Sequence, residues 1–336
     1  MKLISISISC SIFGGWRAVT GAALFTMCAA SQAQFQLIVT ETPNGSVGSG
    51  QWSGVRRYNI EGTGGAAVLG NGISSSLLSD PAGLAFSSSG ELFVGNRHGN
   101  GAASSISRFN YDGVSDTYVA NGTITGNSLF GVHGVQFSSS GELFVANVNG
   151  PTSRFTFAGG TATANGTMNT GPTRDIFLSS NGQWAYTTQG TNGNLVKFDV
   201  ATGNQVGNFS IAGANQLHFG SWRNGQLFVS SFNSGTVHAI DFDSNGDVVS
   251  STLVANTNAA LSVAFSPDQN EMFVASHTSG LISRYLFSSG TWVANGSINV
   301  GVNMGDIIVA PVPEPASSAA IGMGLVALAR KRRRKI

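Results

Sequence analysis

Through the middle of the chain, short apolar runs alternate with turns rich in Ser, Gly and Asn, and no stretch carries the 3.6-residue period of a helix. The segment Gly83-Leu-Ala-Phe-Ser-Ser-Ser-Gly-Glu-Leu-Phe-Val-Gly-Asn96 recurs as Gly134-Val-Gln-Phe-Ser-Ser-Ser-Gly-Glu-Leu-Phe-Val-Ala-Asn147. Weaker copies start at Asp175, Leu217 and Val263. The landmark aromatics Phe86, Phe137, Phe177, Phe219 and Phe265 are spaced 51, 40, 42 and 46 residues apart, and Ile308 stands 43 residues further on. Each copy reads as two strands joined by a turn. A third run follows each pair (Ile106-Ser-Arg-Phe, Thr152-Ser-Arg-Phe, Leu195-Val-Lys-Phe, Val237-His-Ala-Ile, Ile282-Ser-Arg-Tyr), and then a fourth, such as Thr117-Tyr-Val-Ala. Four strands in every 40–50 residues predict an all-β propeller with four-stranded blades. Runs such as Leu92-Phe-Val-Gly are apolar on both faces, which suits strands sandwiched between neighbouring blades.

The number of blades follows from the ends of the repeat. After Ile308 there is room for one strand only, so the last unit lacks three. Gln36-Leu-Ile-Val, Val55-Arg-Arg-Tyr and Ala66-Ala-Val-Leu supply them from the other end of the chain, which closes the ring and removes its open edges. Five complete blades and one composite blade make six. The repeat beginning Asp80-Pro-Ala-Gly-Leu-Ala-Phe resembles that of six-bladed NHL, SMP-30/gluconolactonase and streptogramin-lyase propellers. Those repeats often carry Asp after the second strand, where this chain has Glu41, Asn96, Asn147, Thr188, Ser231 and Ser276.

The two ends depart from this pattern. Lys2 and Arg17 precede an apolar stretch that ends Ser31-Gln32-Ala33, so residues 1–33 read as a signal peptide cut by signal peptidase between Ala33 and Gln34. At the other end, residues 312–336 begin with Pro313-Glu314-Pro315, an extended peptide that a protease can grip. Fourteen uncharged residues follow, Ala316 to Ala329. As a helix they would span about 21 Å, short of a hydrocarbon core of roughly 30 Å, with long basic stems making up part of the deficit. Arg330, Lys331, Arg332, Arg333, Arg334 and Lys335 mark the distal end as cytoplasmic. This order of elements resembles the PEP-CTERM sorting signal of Gram-negative bacteria. The resemblance implies transient membrane insertion, recognition by an exosortase, removal of the tail and delivery to the cell surface or the exopolysaccharide matrix; a plain single-span anchor is the alternative.

Taking the ends away changes the composition. Both cysteines, Cys10 and Cys28, lie in the leader, so residues 34–311 have no disulfide, thiol nucleophile or Cys-ligated metal. The formal charge of +1 also hides an asymmetry: this body holds nine basic and fifteen acidic residues, near −6, which argues against nucleic acid as a partner. A monomer is expected, with exopolysaccharide or surface proteins as partners.

Loops that start the first strand and leave the second should meet at one rim of the channel. That rim would gather Glu41, Asn96 and Asn147 with Asp80, His133, Arg174, Asp175, Asn215 and Asp306. Oxygens of Glu41, Asn96 and Asn147 would suit Ca²⁺ or Mg²⁺, and the lactonase resemblance implies such a metal in the channel; the structural alternative is that Asn, Ser and Thr merely cap strand ends. His133 is the candidate general base or proton donor, against a role as a polar lining residue. Asp241-Phe-Asp-Ser-Asn-Gly-Asp247 mimics the start of a calcium loop, but position twelve is Thr252, and a hairpin turn is the better account. Trp52, Trp184, Trp222 and Trp292 offer either sugar-stacking faces or blade packing. Two functions remain in view: a displayed, non-enzymatic binding or structural propeller, and a metal-dependent hydrolase or lyase working at the rim.

Overall fold

The computed structural model describes residues 35–41, 54–97 and 104–311. The leader with its Ala33–Gln34 junction, Trp52, and the tail with Pro313, Glu314, Pro315 and the arginines, lie outside the described residues.

The strands follow the repeat. β1 (Phe35–Glu41), β2 (Val55–Ile60) and β3 (Ala67–Leu69) come from the start of the body. The first complete blade is β4 (Pro81–Phe86), β5 (Leu92–Asn96), β6 (Ser105–Asp112) and β7 (Thr117–Ile124). The second is β8 (Val132–Phe137), β9 (Leu143–Asn147), β10 (Thr152–Ala158) and β11 (Thr161–Met168); the third is β12 (Asp175–Leu178), β13 (Trp184–Thr188), β14 (Asn194–Asp199) and β15 (Gln205–Ser210). The fourth comprises β16 (Leu217–Arg223), β17 (Gln226–Ser231), β18 (Thr236–Phe242) and β19 (Val248–Asn256). The fifth comprises β20 (Ala260–Phe265), β21 (Glu271–Ser276), β22 (Leu281–Ser288) and β23 (Thr291–Asn299), and β24 (Met304–Pro311) completes the chain of strands. Each blade is an antiparallel meander, and the sixth is composite in the order β24-β1-β2-β3. Its seam pairs Leu37 with Val309 and Ile38 with Ile308.

The apolar cores lie between blades, as strands apolar on both faces require. Phe93 and Ile106 of the first blade pack with Val135 and Phe155 of the second. Phe35 and Leu37 of the composite blade pack with Phe273 and Ile282 of the fifth. Six such clusters fill the six junctions.

A second device reinforces five of those junctions. A basic residue on the third strand reaches the turn between the third and fourth strands of the next blade. Arg57 donates to Asp116 O (2.9 Å), Arg108 to Gly160 O (2.7 Å) and Arg154 to Val200 O (3.3 Å). Lys197 donates to Asn245 O (2.5 Å) and Arg284 to Gly65 O (2.8 Å). At the remaining junction Arg223 of β16 donates to Gln269 O (2.8 Å) and lies over the rings of Phe287 and Trp292. Arg108, Arg154 and Arg284 are each held in place by an acid of their own blade, Glu91, Glu142 and Glu271.

One landmark shifts. In the fourth blade Trp222, not Phe219, faces Leu227 as Phe86 faces Leu92. The turn there is only Asn224-Gly225, both with positive φ (48° and 83°), so the strand runs three residues further before it reverses. Phe219 is left free to turn towards the channel. The Asp241–Asp247 segment is a hairpin turn, with the Asp243 carboxylate accepting from the N–H groups of Asn245 and Asp247 (both 2.9 Å).

Candidate functional site

Five of the six innermost strands carry a β-bulge near their start. Two residues, Ala82-Gly83, His133-Gly134, His218-Phe219 and Gly305-Asp306, each oppose one on the second strand, and Leu261 is a single inserted residue. A bulge re-aims a side chain that regular pleating would bury between sheets. Here it delivers Ala82, His133, His218, Leu261 and Gly305 to one end of the channel. The inner strands approach one another closely at this level: a Cβ on Gly83 would meet His133 O at 2.1 Å, and one on Gly134 would meet Asp175 Oδ1 at 2.1 Å. Arg174, at the foot of β12, and Arg97, Phe232 and His277, each one residue beyond a second strand, complete a mouth cavity of about 180 Å³.

The mouth is polar and cationic. Nδ1–H of His133 donates to Arg174 O (2.9 Å), and its ring stacks on Phe219 at 4.7 Å with 12° between planes. Burial holds His133 well below the usual histidine range, and the Arg174 guanidinium pushes in the same direction. Burial likewise takes His218 down to about 3, again with help from Arg174. Nδ1 of His277 donates to Met304 O (2.7 Å). Arg97 is paired with Asp80 (2.9 Å). The stem of Arg174 lies flat on Gly190, where a Cβ would stand 2.4 Å from it and where φ is +67°.

One residue further in, the chemistry reverses. Asp306 accepts from Leu84 N–H (2.9 Å) in the first blade and from the Ser262 hydroxyl (2.6 Å) in the fifth. Burial nevertheless pushes its carboxyl up to about 7. Asp175 accepts from Ile176 N–H (2.9 Å), and burial, then repulsion from Asp306, hold it well above the carboxylate range. Both acids face the opposite cavity, of about 480 Å³, which continues past Gln136 and Phe177 to Trp222.

The residues expected to hold calcium are otherwise engaged. Asn96 Oδ1 accepts from Ser79 N–H (3.0 Å), while its amide donates to Leu77 O and to the Ser105 and Ser107 hydroxyls. Asn147 Oδ1 accepts from Phe130 N–H (3.2 Å), and its amide donates to Pro151 O (2.6 Å) and Ser153 (3.0 Å). Glu41 is buried against Arg56; burial raises its carboxyl and the guanidinium partly offsets this. None of the three lines the mouth. Among the described residues no group of three or more His, Cys, Asp or Glu side chains could hold a metal ion. His133 and Arg174 do meet in the mouth. Sequence reasoning missed Arg97, Gln216, His218 and His277 there. A signal existed for two of them: Asn96-Arg97 and Ser276-His277 are the same place in two copies of the repeat. The bulge that exposes His218 leaves no such trace.

Residues 311–334 match the PEP-CTERM protein-sorting motif. No curated protein matches the chain. Among solved structures, the periplasmic gluconolactonase of Pseudomonas aeruginosa is 17% identical with a TM-score of 0.61, over 83% of this chain and 100% of that one. A putative 6-phosphogluconolactonase from Bacteroides uniformis is 15% identical with a TM-score of 0.57, over 83% and 100%. A chain of a nidogen/laminin complex is 10% identical with a TM-score of 0.60, over 82% and 98%. Such identities speak for shared architecture alone, and the three share no single activity. The chain therefore joins a six-bladed β-propeller to a C-terminal PEP-CTERM sorting motif.

Proposed function

We infer that this is an exosortase-processed propeller displayed at the cell surface or shed into the exopolysaccharide matrix, and that it works by binding rather than by catalysis. One observation carries the second half: the oxygens a metal hydrolase would use are spent on the fold. Asn96 and Asn147 clamp the loops that lead into their blades, and Asp306 ties three blades together. His133 is a weak base in this setting, because burial keeps it neutral and its Nδ1–H is committed to Arg174 O. What the mouth offers instead is a preformed polar pocket on a rigid ring, which is how binding sites are commonly built.

Two measurements test this. Expressed with an exosortase, the wild-type chain should be released from the membrane without residues beyond the motif, while the Pro313→Ala/Glu314→Gln/Pro315→Ala variant stays membrane-bound. Equal release of both would sink the sorting assignment. Incubated with gluconolactone and related lactones, with and without Ca²⁺, the protein should hydrolyse none above buffer. Turnover that disappears in His133→Ala would establish the metal-dependent hydrolase or lyase instead.

A further inference from the structure

Nine basic residues stand among fifteen acidic ones between residues 34 and 311, so every cation has an acid to find. Seven have found one in an ion pair. Arg223 instead donates to Gln269 O and lies on two aromatic rings. Arg174 is the single basic side chain of the described body with no acid, carbonyl or ring partner among the described residues. It is also the one whose stem is seated by a glycine with φ of +67° that no other residue could replace without displacing it.

A second group in the same cavity is unsatisfied. His218 is only 6% exposed, and its Nδ1 is buried with no hydrogen-bond partner. Its neighbours His133 and His277 have each spent Nδ1 on a carbonyl. Buried polar groups are overwhelmingly paired, so the buried Nδ1 of His218 calls for a partner, and the half-buried guanidinium of Arg174 lines the same cavity with its donors turned to no other group among the described residues. The acids that could neutralise them are elsewhere: Asp80 is on Arg97, and Asp175 and Asp306 line the opposite cavity. Beside Gln216, one side of the wall is apolar, made by Phe219, Phe232 and Leu261.

We propose that the mouth binds the carboxylate of a small organic anion, with Arg174 supplying the charged fork and His218 a ring N–H, while the body of the ligand rests on Phe219 and Phe232. A planar two-oxygen group fits one fork plus one N–H, and the apolar wall favours a carbon-bearing ligand over a bare inorganic ion. The proposal deepens the binding function above and rests on it.

The test uses the full-length chain in detergent, with benzoate as probe and benzamide and inorganic phosphate as comparators, followed by calorimetry. Benzoate should bind saturably, benzamide not at all, and phosphate at least tenfold more weakly. Arg174→Gln should lose at least tenfold in benzoate affinity, with Arg174→Lys between. In the wild-type protein, benzoate should move the titration of the His218 ring to higher pH, a readout that stands even if the variants fold poorly. Absence of benzoate binding, equal binding of benzamide or phosphate, or an unchanged affinity in folded Arg174→Gln would each overturn the proposal. Such a failure, in a protein inert towards lactones, would leave the binding function of the propeller standing; lactone turnover would remove that function as well.

Discussion

Arg284→Met should open the ring at its seam. Arg284 lies on β22, and its guanidinium donates to Glu271 (2.6 Å) and to Gly65 O (2.8 Å) while covering the Phe273 ring. Glu271 accepts in turn from Gly64 N–H (2.8 Å), so both members of the pair grip the same turn of the composite blade. Their side chains are 8% and 0% exposed, which makes this the most deeply buried ion pair of the described body. Removing one partner of such a pair leaves an uncompensated charge at a cost of about 3–5 kcal/mol, and losing the bond to Gly65 adds about 1 kcal/mol. At roughly 2–4 °C per kcal/mol for a domain of this size, the melting temperature should fall by about 10–20 °C. Amide exchange in β2 and β3 should speed up more than in the second or third blade. The double variant Glu271→Met/Arg284→Met should recover most of the loss, because two packed apolar side chains replace a pair whose desolvation cost nearly cancels its attraction. A single variant within about 1 kcal/mol of wild type, or a double variant less stable than the single, would refute the idea that this clamp holds the seam.

Three further outcomes are expected. The Asp306 carboxyl, pushed by burial up to about 7 in the folded protein from the usual aspartate value of about 4, keeps its proton where the unfolded chain has lost it; its contribution is therefore full below about pH 4 and is lost as pH rises through 7. Melting temperatures recorded from pH 4 to 8 should show that decline, and Asp306→Asn should flatten it; a profile that rises over this range would contradict the assignment. Asn147→Ala should cost about 2–3 kcal/mol in urea denaturation by stranding Phe130 N–H and Ser153, and Ca²⁺ should leave the wild-type melting point unchanged; a calcium-induced rise abolished by this substitution would restore the metal site. Gly190→Ala should displace Arg174, reducing benzoate affinity at least tenfold in a chain whose far-ultraviolet spectrum is unaltered.

Most of the architecture was legible because the repeat is spelled out twice almost letter for letter, at Gly83–Asn96 and Gly134–Asn147. Ring closure was legible by subtraction: β24 lacked three partners and β1, β2 and β3 lacked one. The rim was legible only in part. His133, Arg174, Asp175 and Asp306 were placed near the channel by counting from the repeat, but period-2 reasoning assumes regular pleating. The bulges break that assumption at the level where the mouth forms, so His218 and Phe219 reach it without any periodic signature. Asn96 and Asn147 were ambiguous in the sequence for a different reason. An amide at the end of a second strand serves a nearby loop equally well, and only the hydrogen bonds distinguish the two roles.

The inner strands all run the same way, and that gives the molecule two poles. They begin at the cationic mouth and end at the far side of the channel, where Val309 lines the opposite cavity and Pro311 stands beside Phe35. The body thus starts and finishes at the pole away from the mouth. The sorting motif at residues 311–334 therefore joins the body at the pole away from the mouth. On the proposed function, cutting at the motif and binding at the mouth would take place at opposite poles, so release would leave the mouth as it was.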